Sequence, residues 1–90
     1  MRLDVFLNTV CVVKRRSEAK RACDNEIVTV DGQVAKASRE VQEGQRVCIA
    51  FTDRLLEIEV TGVPNGNVSR KDAGNYYRVL KDEFREPEFL

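Results

Sequence analysis

The spacing of the apolar residues changes from helical to strand-like near Asn25, and this change most constrains the fold. Before it, apolar side chains recur three and four positions apart from Leu3 to Cys11, which predicts a first helix that ends near Val13. Asp4 lies in the opening turn of this helix, where a negative charge is favourable. The N-terminal quarter of the chain is therefore predicted to be helical.

A second, shorter helix is predicted from Ser17, acting as its N-cap, to about Asp24. Its apolar face consists of small residues, which would let it approach a neighbouring helix closely. Asn25 follows, and Asn often takes the left-handed conformation that closes a helix. The chain is expected to become extended after this residue.

The sequence after Asn25 predicts a small antiparallel sheet, and thus an α+β fold. A β-branched run from Ile27 to Val30 precedes the turn signal Asp31-Gly32, which predicts a tight hairpin into Gln33-Val34. Further strands are expected over residues 46–51 and 55–60, the second with clean alternation of apolar and polar residues.

The chain is expected to divide into residues 1–62 and a C-terminal extension over residues 63–90. Within the extension, Ser69 begins a sequence similar to a capping box, which predicts a short third helix through Tyr77 and Leu80. Gly74 disfavours that helix, so a terminal strand over Tyr76 to Leu80 is the alternative. The acidic tail from Asp82 to Leu90 is expected to be frayed.

Charge is segregated along the sequence, although the net charge is zero. Residues 1–23 hold six basic and two acidic residues, a net +4, and the remainder holds nine basic and thirteen acidic residues, a net −4. This asymmetry predicts a basic face on an otherwise acidic body. Taken alone, the pattern is equally compatible with a solvated surface that has no binding role.

Five cations cluster around the predicted start of the second helix. Because a helix N-terminus carries positive partial charge, cations there are locally unfavourable and favour a bound anion such as a phosphate. Arg16 and Lys20 lie four residues apart, on one helix face, and are placed to contact neighbouring phosphates. The candidate RNA-binding residues of this cluster are Lys14, Arg15, Arg16, Ser17, Lys20 and Arg21.

Other candidate contacts are less directly indicated. Arg2 precedes the first helix, and its membership of the basic patch does not follow from spacing. Lys36 and Ser38 lie in the polar segment after the hairpin, where an ordinary loop is the simpler interpretation. Because no clear aromatic stacking platform is present, recognition of the shape and backbone of structured RNA is expected.

The composition argues against catalysis and against a metal or cofactor. The chain has no histidine, and therefore lacks the commonest general base and metal ligand. Its three cysteines form no Cys-x-x-Cys pair and are expected to be small core residues, with Cys11 inert in the helical stripe. The longest apolar run, Val10 to Val13, is too short to cross a membrane, so a complete cytoplasmic protein is expected.

Motifs in the first fifty residues resemble, in their order and joint spacing, the S-four RNA-binding domain, named for ribosomal protein four of the small subunit. The matching segments are Arg2-Leu3-Asp4, Lys14-Arg15-Arg16-Ser17 with Ala19-Lys20, Val28 and Val30 before Asp31-Gly32, Ala35-Lys36-Ala37-Ser38, and Gly44-Gln45. The resemblance implies a small S-four-like (alpha-L) fold. In that fold two N-terminal helices pack on a small antiparallel sheet, and RNA binds along their basic face.

A free-standing chain with this motif and a short Tyr-containing end is similar to the family of RqcP and the fifteen-kilodalton ribosome-associated heat-shock protein. The acidic tail resembles RqcP more, since the heat-shock relative has a basic extension. The resemblance implies binding to large ribosomal subunits that still carry peptidyl-tRNA after stalling, in ribosome-associated quality control. The implied partners are ribosomal RNA of the large subunit, tRNA and, further, a nascent-chain tailing factor.

Carried over by position, the resemblance implies RNA contacts at Arg2, Lys14, Arg15, Arg16 and Lys20, followed by Lys36 and Ser38. Asn25-Glu26 departs from the family pattern of Gly and then a basic residue, which argues against a phosphate contact there. The free protein is expected to be monomeric. Two other hypotheses stay open: a ribosome-assembly factor or other structured-RNA binder, and a protein-interaction adaptor that uses the acidic sheet and tail.

Overall fold

The computed structural model describes residues 1–86 and confirms the predicted α+β fold. Its helices are α1 (Leu3–Thr9), α2 (Arg16–Asp24) and α3 (Arg70–Ala73), and a 3-10 turn over Gly74–Tyr76 follows α3. Its strands are β1 (Val28–Val30), β2 (Gln33–Val34), β3 (Arg46–Ala50), β4 (Arg54–Val60) and β5 (Tyr77–Phe84). They form one antiparallel sheet in the order β2-β1-β3-β4-β5. No helix within residues 1–86 is long and apolar enough to cross a membrane.

A single hydrophobic core joins α1 and α2 to one face of the sheet. From α1, the stripe residues Leu3, Phe6 and Leu7 are fully buried. The sheet contributes alternate residues of β1, β3 and β4, namely Val28, Val30, Val47, Ile49, Leu56, Ile58 and Val60. Burying each large apolar side chain contributes about 1.5–3 kcal/mol, so this packing fixes the position of α1 on the sheet.

The first helix is shorter than the apolar spacing predicted. It ends at Thr9 rather than near Val13, because Cys11 takes a left-handed backbone conformation with φ of 63°. The amides of Val12 and Val13 both donate to the Leu7 carbonyl oxygen, at 3.0 and 3.1 Å, which closes the helix end. The expectation that Cys11 is a core residue is therefore wrong: its side chain is exposed.

At both ends of α2, a residue close in sequence to the predicted one takes its role. Arg15, with extended backbone, occupies the N-cap position, and Ser17 lies inside the first turn, with no side chain capping the helix. At the other end Asn25 has φ of −82°, and Glu26 is the left-handed residue, with φ of 62°. The Ile27 amide then donates to the Ala22 carbonyl at 3.2 Å, which completes the turn into β1.

The C-terminal extension forms a strand where a longer helix was the first expectation. A short helix is confirmed as α3, but its continuation through Tyr77 and Leu80 is wrong, and the alternative of a terminal strand is correct. Strand β5 pairs with β4, and Arg54 donates two hydrogen bonds to Asp82, at 2.7 and 3.0 Å. The predicted frayed tail therefore begins inside an ordered strand.

Residues 87–90 of that tail lie outside the described part of the chain. The division of the chain near residue 62 stays a prediction. The C-terminal extension adds β5 to the edge of the same five-stranded sheet to which residues 1–62 contribute the other four strands.

The three cysteines differ in their surroundings, and this predicts their reactivity. Cys23 is buried, and burial, reinforced by the negative charges of Asp4 and Asp24, raises its pKa from 9.0 to about 11. Cys11 is exposed, and Cys48 is half-buried on the outer face of the sheet. In native protein at pH 7.5, a thiol reagent should therefore modify Cys11 first and Cys23 only after denaturation. Mass spectrometry of tryptic peptides over time checks this order; rapid native labelling of Cys23 would contradict the packing.

The left-handed residue after α2 predicts a stabilising substitution. Because a left-handed backbone is unfavourable for a residue with a Cβ, Glu26→Gly should raise the free energy of unfolding by about 0.5–1 kcal/mol. The matched control, Asn25→Gly, should give no such gain, since Asn25 has a negative φ. Urea denaturation of both variants measures the difference, and the opposite ranking would place the left-handed residue at Asn25.

Candidate RNA-binding surface

A buried carboxylate organises the basic residues at the start of α1 and α2. Asp4 is fully buried, and its Oδ1 accepts a hydrogen bond from the Val5 amide at 2.8 Å. Arg2 approaches the same carboxylate with Nε at 3.1 Å from Oδ1 and Nη2 at 3.3 Å from Oδ2. Arg16 approaches from α2, with Nε at 3.3 Å from Oδ2. One carboxylate thus holds two guanidinium groups that lie 14 residues apart in the sequence.

Backbone hydrogen bonds fix Asp4 where Arg2 and Arg16 can reach it. The Leu3 amide donates to the Arg39 carbonyl at 2.8 Å, and the Asp4 amide donates to the Ala37 carbonyl at 3.1 Å. The first residues of α1 therefore lack free amides that would otherwise point at solvent. Since α1 is also held by its apolar face, the Asp4 carboxylate has a fixed position relative to α2.

Together these contacts form a shallow basic depression lined by Arg2, Asp4, Arg16, Ser17 and Lys20, here called the Asp4 surface. Three cations and one carboxylate give it a net charge of +2. The side chains of Arg2 and Arg16 are 42% and 56% exposed, and Arg16 uses only its Nε in the ion pair. Its two Nη groups therefore remain available to donate to an anion, in the planar fork that suits a phosphate.

The Asp4 surface changes the interpretation of the cations at the start of α2. The sequence alone indicated an external anion to offset their repulsion with the helix N-terminus. The structure supplies an internal anion for one of them, because Asp4 pairs with Arg16. Asp4 also brings Arg2 into the same cluster, a placement that its spacing did not predict. Arg16 and Lys20 lie together as predicted.

A second groove extends the Asp4 surface towards the hairpin. Arg2, Lys20, Lys36 and Ser38 all line it, so the segment after β2 contributes to the same side of the molecule as α2. Burial alternates along this segment: Ala35 and Ala37 are buried, while Lys36 and Ser38 are exposed. Carboxylates of Asp24 and Glu26 also line the groove, at the C-terminal end of α2, so its cationic character weakens in that direction.

The remaining predicted residues lie outside the Asp4 surface. Arg15 and Arg21 are exposed on α2 or its N-cap and do not line the Asp4 surface or the groove beside it. Lys14 lies in the turn between α1 and α2 and lines a different depression, with Asn8 and Cys11. The nine predicted residues therefore do not form one cluster. Six of them, Arg2, Arg16, Ser17, Lys20, Lys36 and Ser38, line the two connected depressions.

Asp4 belongs to the candidate site, although the sequence analysis did not predict it there. Its position in the first turn of α1 was explained by the helix dipole alone. A carboxylate between a preceding arginine and a later cation cluster was the available signal, but the contact with Arg16 spans 12 positions and depends on how the helices pack. No aromatic side chain of residues 1–86 lines the Asp4 surface or the adjoining groove, which favours backbone contacts over base stacking.

Because Asp4 is buried and pairs with both Arg2 and Arg16, we expect it to stabilise the folded protein as well as to orient the two cations. Asp4→Asn removes the charge shared by two guanidinium groups, and should lower the free energy of unfolding by about 1–3 kcal/mol. Glu18→Gln is the matched control: it removes an exposed carboxylate on α2 and should change stability by less than about 0.5 kcal/mol. Urea denaturation measures both, and equal effects would contradict a central role for Asp4.

Comparison with known proteins identifies the family to which this chain belongs. The sequence model of the S4 domain family matches residues 1–47, which include every residue of the Asp4 surface. The RQC P-site tRNA stabilizing factor of Halalkalibacterium halodurans is 41% identical over 83 residues, which cover 92% of this chain and 93% of the relative. The protein of the same name from Bacillus subtilis is 34% identical, again over 83 residues, covering 92% of this chain and 95% of the relative.

The fold is also found among solved structures. The structure of Heat Shock Protein 15 from Vibrio cholerae matches with a TM-score of 0.79 and 26% sequence identity, covering 88% of this chain and 80% of that chain. That match extends beyond the residues of the S4 domain model, into the C-terminal part of the sheet. The chain belongs to the S4 domain family and, within it, to the family of RQC P-site tRNA stabilizing factors.

Proposed function

We propose that this chain is a non-enzymatic RNA-binding factor of ribosome-associated quality control, which docks on the large ribosomal subunit and stabilises peptidyl-tRNA there. The observation that carries the proposal is the Asp4 surface. It presents the free Nη groups of Arg16 beside Lys20, within a domain whose relatives are named for stabilising P-site tRNA. Ribosomal RNA of the large subunit and tRNA are the two proposed RNA partners.

The chemistry of the Asp4 surface suits phosphates rather than base edges. Guanidinium groups held in place by a carboxylate lose little side-chain entropy when they bind, and they donate two parallel hydrogen bonds to phosphate oxygens. A structured RNA presents phosphates at fixed positions, so preorganised cations recognise its shape. Ser17 and Ser38 supply hydroxyl groups at the margins of the same region, where they can contact phosphate or ribose oxygens.

The other proposed properties follow from this role. The proposed place of action is the cytoplasm, where ribosomes translate, and the free protein is proposed to be a monomer. A factor that adds the C-terminal tail to the trapped nascent chain is a further proposed partner on the same large subunit. Lys14, Arg15 and Arg21 are proposed as additional phosphate contacts around the Asp4 surface.

Arg16 provides the direct test of this function. Arg16→Ala should weaken binding to large subunits that carry peptidyl-tRNA by about tenfold at 100 mM KCl. It should also reduce the slope of log affinity against log salt by about 0.7–0.9, the loss of one phosphate contact. Arg78→Ala is the control, because it also removes one cation, here from β5 where Arg78 pairs with Glu59. Sedimentation with purified subunits at several salt concentrations measures both quantities.

The outcome separates this function from its alternatives. If Arg16→Ala and Arg78→Ala behave alike, the Asp4 surface does not bind phosphate. If wild type prefers subunit precursors without tRNA, a ribosome-assembly role replaces the quality-control role. If partners survive ribonuclease treatment in cell extract and do not depend on Arg16, the chain is a protein-interaction adaptor.

A further inference from the structure

We propose that Lys14 and Arg70 form a second phosphodiester-binding site, so that the C-terminal extension contacts RNA directly. This inference rests on the proposed function and extends it to residues outside the matched S4 domain. The site is a depression lined by Asn8, Cys11, Val13, Lys14 and Arg70, here called the Lys14 site. Two cations from distant parts of the sequence line it, and among residues 1–86 no carboxylate does so.

The absence of a carboxylate distinguishes the Lys14 site from the other depressions described above. Asp4 offsets part of the charge of the Asp4 surface, and Asp24 and Glu26 offset part of the charge of the adjoining groove. Neither Lys14 nor Arg70 takes part in an ion pair among residues 1–86. Lys14 also lines a neighbouring depression with Glu18 and Asp53, but neither carboxylate is close enough to form an ion pair with it. Two cations that line one depression repel each other, and a bound phosphate reduces that repulsion.

Both cations are carried by anchored backbone. The Asn8 side chain donates from Nδ2 to the Lys14 carbonyl at 3.2 Å, and this bond holds the turn between α1 and α2. The left-handed conformation of Cys11 and the burial of Val13 restrict the same turn. The Lys14 ammonium is therefore presented from a restrained loop.

Arg70 is anchored through the residues that follow it. Ala73 of α3 is buried, and the amides of Asp72 and Ala73 donate to the Ser69 carbonyl, both at 3.0 Å. The Thr61 amide, just after β4, donates to the Tyr76 carbonyl at 3.0 Å, which fastens the 3-10 turn to the sheet. These contacts hold the four-residue helix α3 in place, with Arg70 lining the same depression as Lys14.

The occupant that fits this geometry is an RNA backbone. Lys14 precedes Arg16 by two residues, so the Lys14 site adjoins the chain segment that leads into the Asp4 surface. An RNA strand or helix that contacts Arg16 has further phosphates along its backbone within reach of a neighbouring basic site. Arginine and lysine from two chain segments would then bind one RNA at two positions.

Arg70→Ala tests the proposal, with Lys71→Ala as the matched control. Lys71 neighbours Arg70 on the same helix but does not line the Lys14 site. With large subunits carrying peptidyl-tRNA as the probe, Arg70→Ala and Lys14→Ala should each weaken binding about three- to tenfold. Each should also reduce the salt slope by about 0.7–0.9, whereas Lys71→Ala should match wild type. If Arg70→Ala is too unstable to test, Arg70→Gln retains most of the side-chain length.

The controls distinguish failure of this site from failure of the proposed function. If Arg16→Ala weakens binding and Arg70→Ala does not, the Lys14 site is wrong and the proposed function stands. If Arg70→Ala and Lys71→Ala weaken binding equally, net charge explains the effect and the site is again wrong. If Arg16→Ala, Lys14→Ala and Arg70→Ala all match wild type, both proposals fail.

A crosslink identifies the occupant. Cys11 is exposed and lines the Lys14 site, so a short photoactivatable group attached to its thiol, in a Cys48→Ser background, reports what lies there. Crosslinks to RNA on the large subunit support the proposal. Crosslinks confined to ribosomal proteins would overturn it, because the cations would then face an acidic protein surface.

Discussion

The ion pairs of Asp4 with Arg2 and Arg16 are the interaction on which the rest of the surface depends. Burying a carboxylate costs several kcal/mol unless donors surround it, and here the Val5 amide and two guanidinium groups do so. The same contacts lower the entropy of two long side chains before any ligand arrives. A single buried charge therefore links the stability of the helix pair to the geometry of the proposed RNA contacts.

The fold explains how a chain with no net charge presents such a surface. One face of the sheet is covered by α1 and α2, and the basic residues of the first 23 positions lie on or beside those helices. Four of the acidic residues lie on β4 and β5, where Glu59 pairs with Arg78 and Asp82 with Arg54. These pairs neutralise charge on β4 and β5, while the first 23 residues, which include most of both helices, carry a net charge of +4.

The spacing of apolar residues in the sequence correctly predicted those helices and strands that bury one face. The stripe beginning at Leu3 and the alternation along β4 each reflect burial of one face, so the pattern predicted both elements. The pattern missed the left-handed residues Cys11 and Glu26, because both have side chains that rarely favour that conformation. Strand β5 was only an alternative, since its stability comes from pairing with β4 across the intervening loop and α3.

In the candidate site too, contacts between residues close in sequence were predicted, and contacts between distant residues were not. Arg16 and Lys20 were predicted because they are neighbours on one helix, and the resemblance to the S-four domain added Arg2, Lys36 and Ser38. Their convergence depends on hydrogen bonds between α1 and residues 37–39, which no local pattern encodes. Neither Asp4 nor Arg70 was predicted at these sites, because Asp4 pairs with Arg16, and Arg70 lines a depression with Lys14, from distant positions in the sequence.

The most direct test of the central claim is a cryo-electron microscopy structure of this chain on large ribosomal subunits that carry peptidyl-tRNA. We expect the Asp4 surface to face RNA, with the Arg16 guanidinium within hydrogen-bonding distance of a phosphate and still paired with Asp4. A chain bound through the outer face of its sheet, with Arg16 turned to solvent, would contradict it.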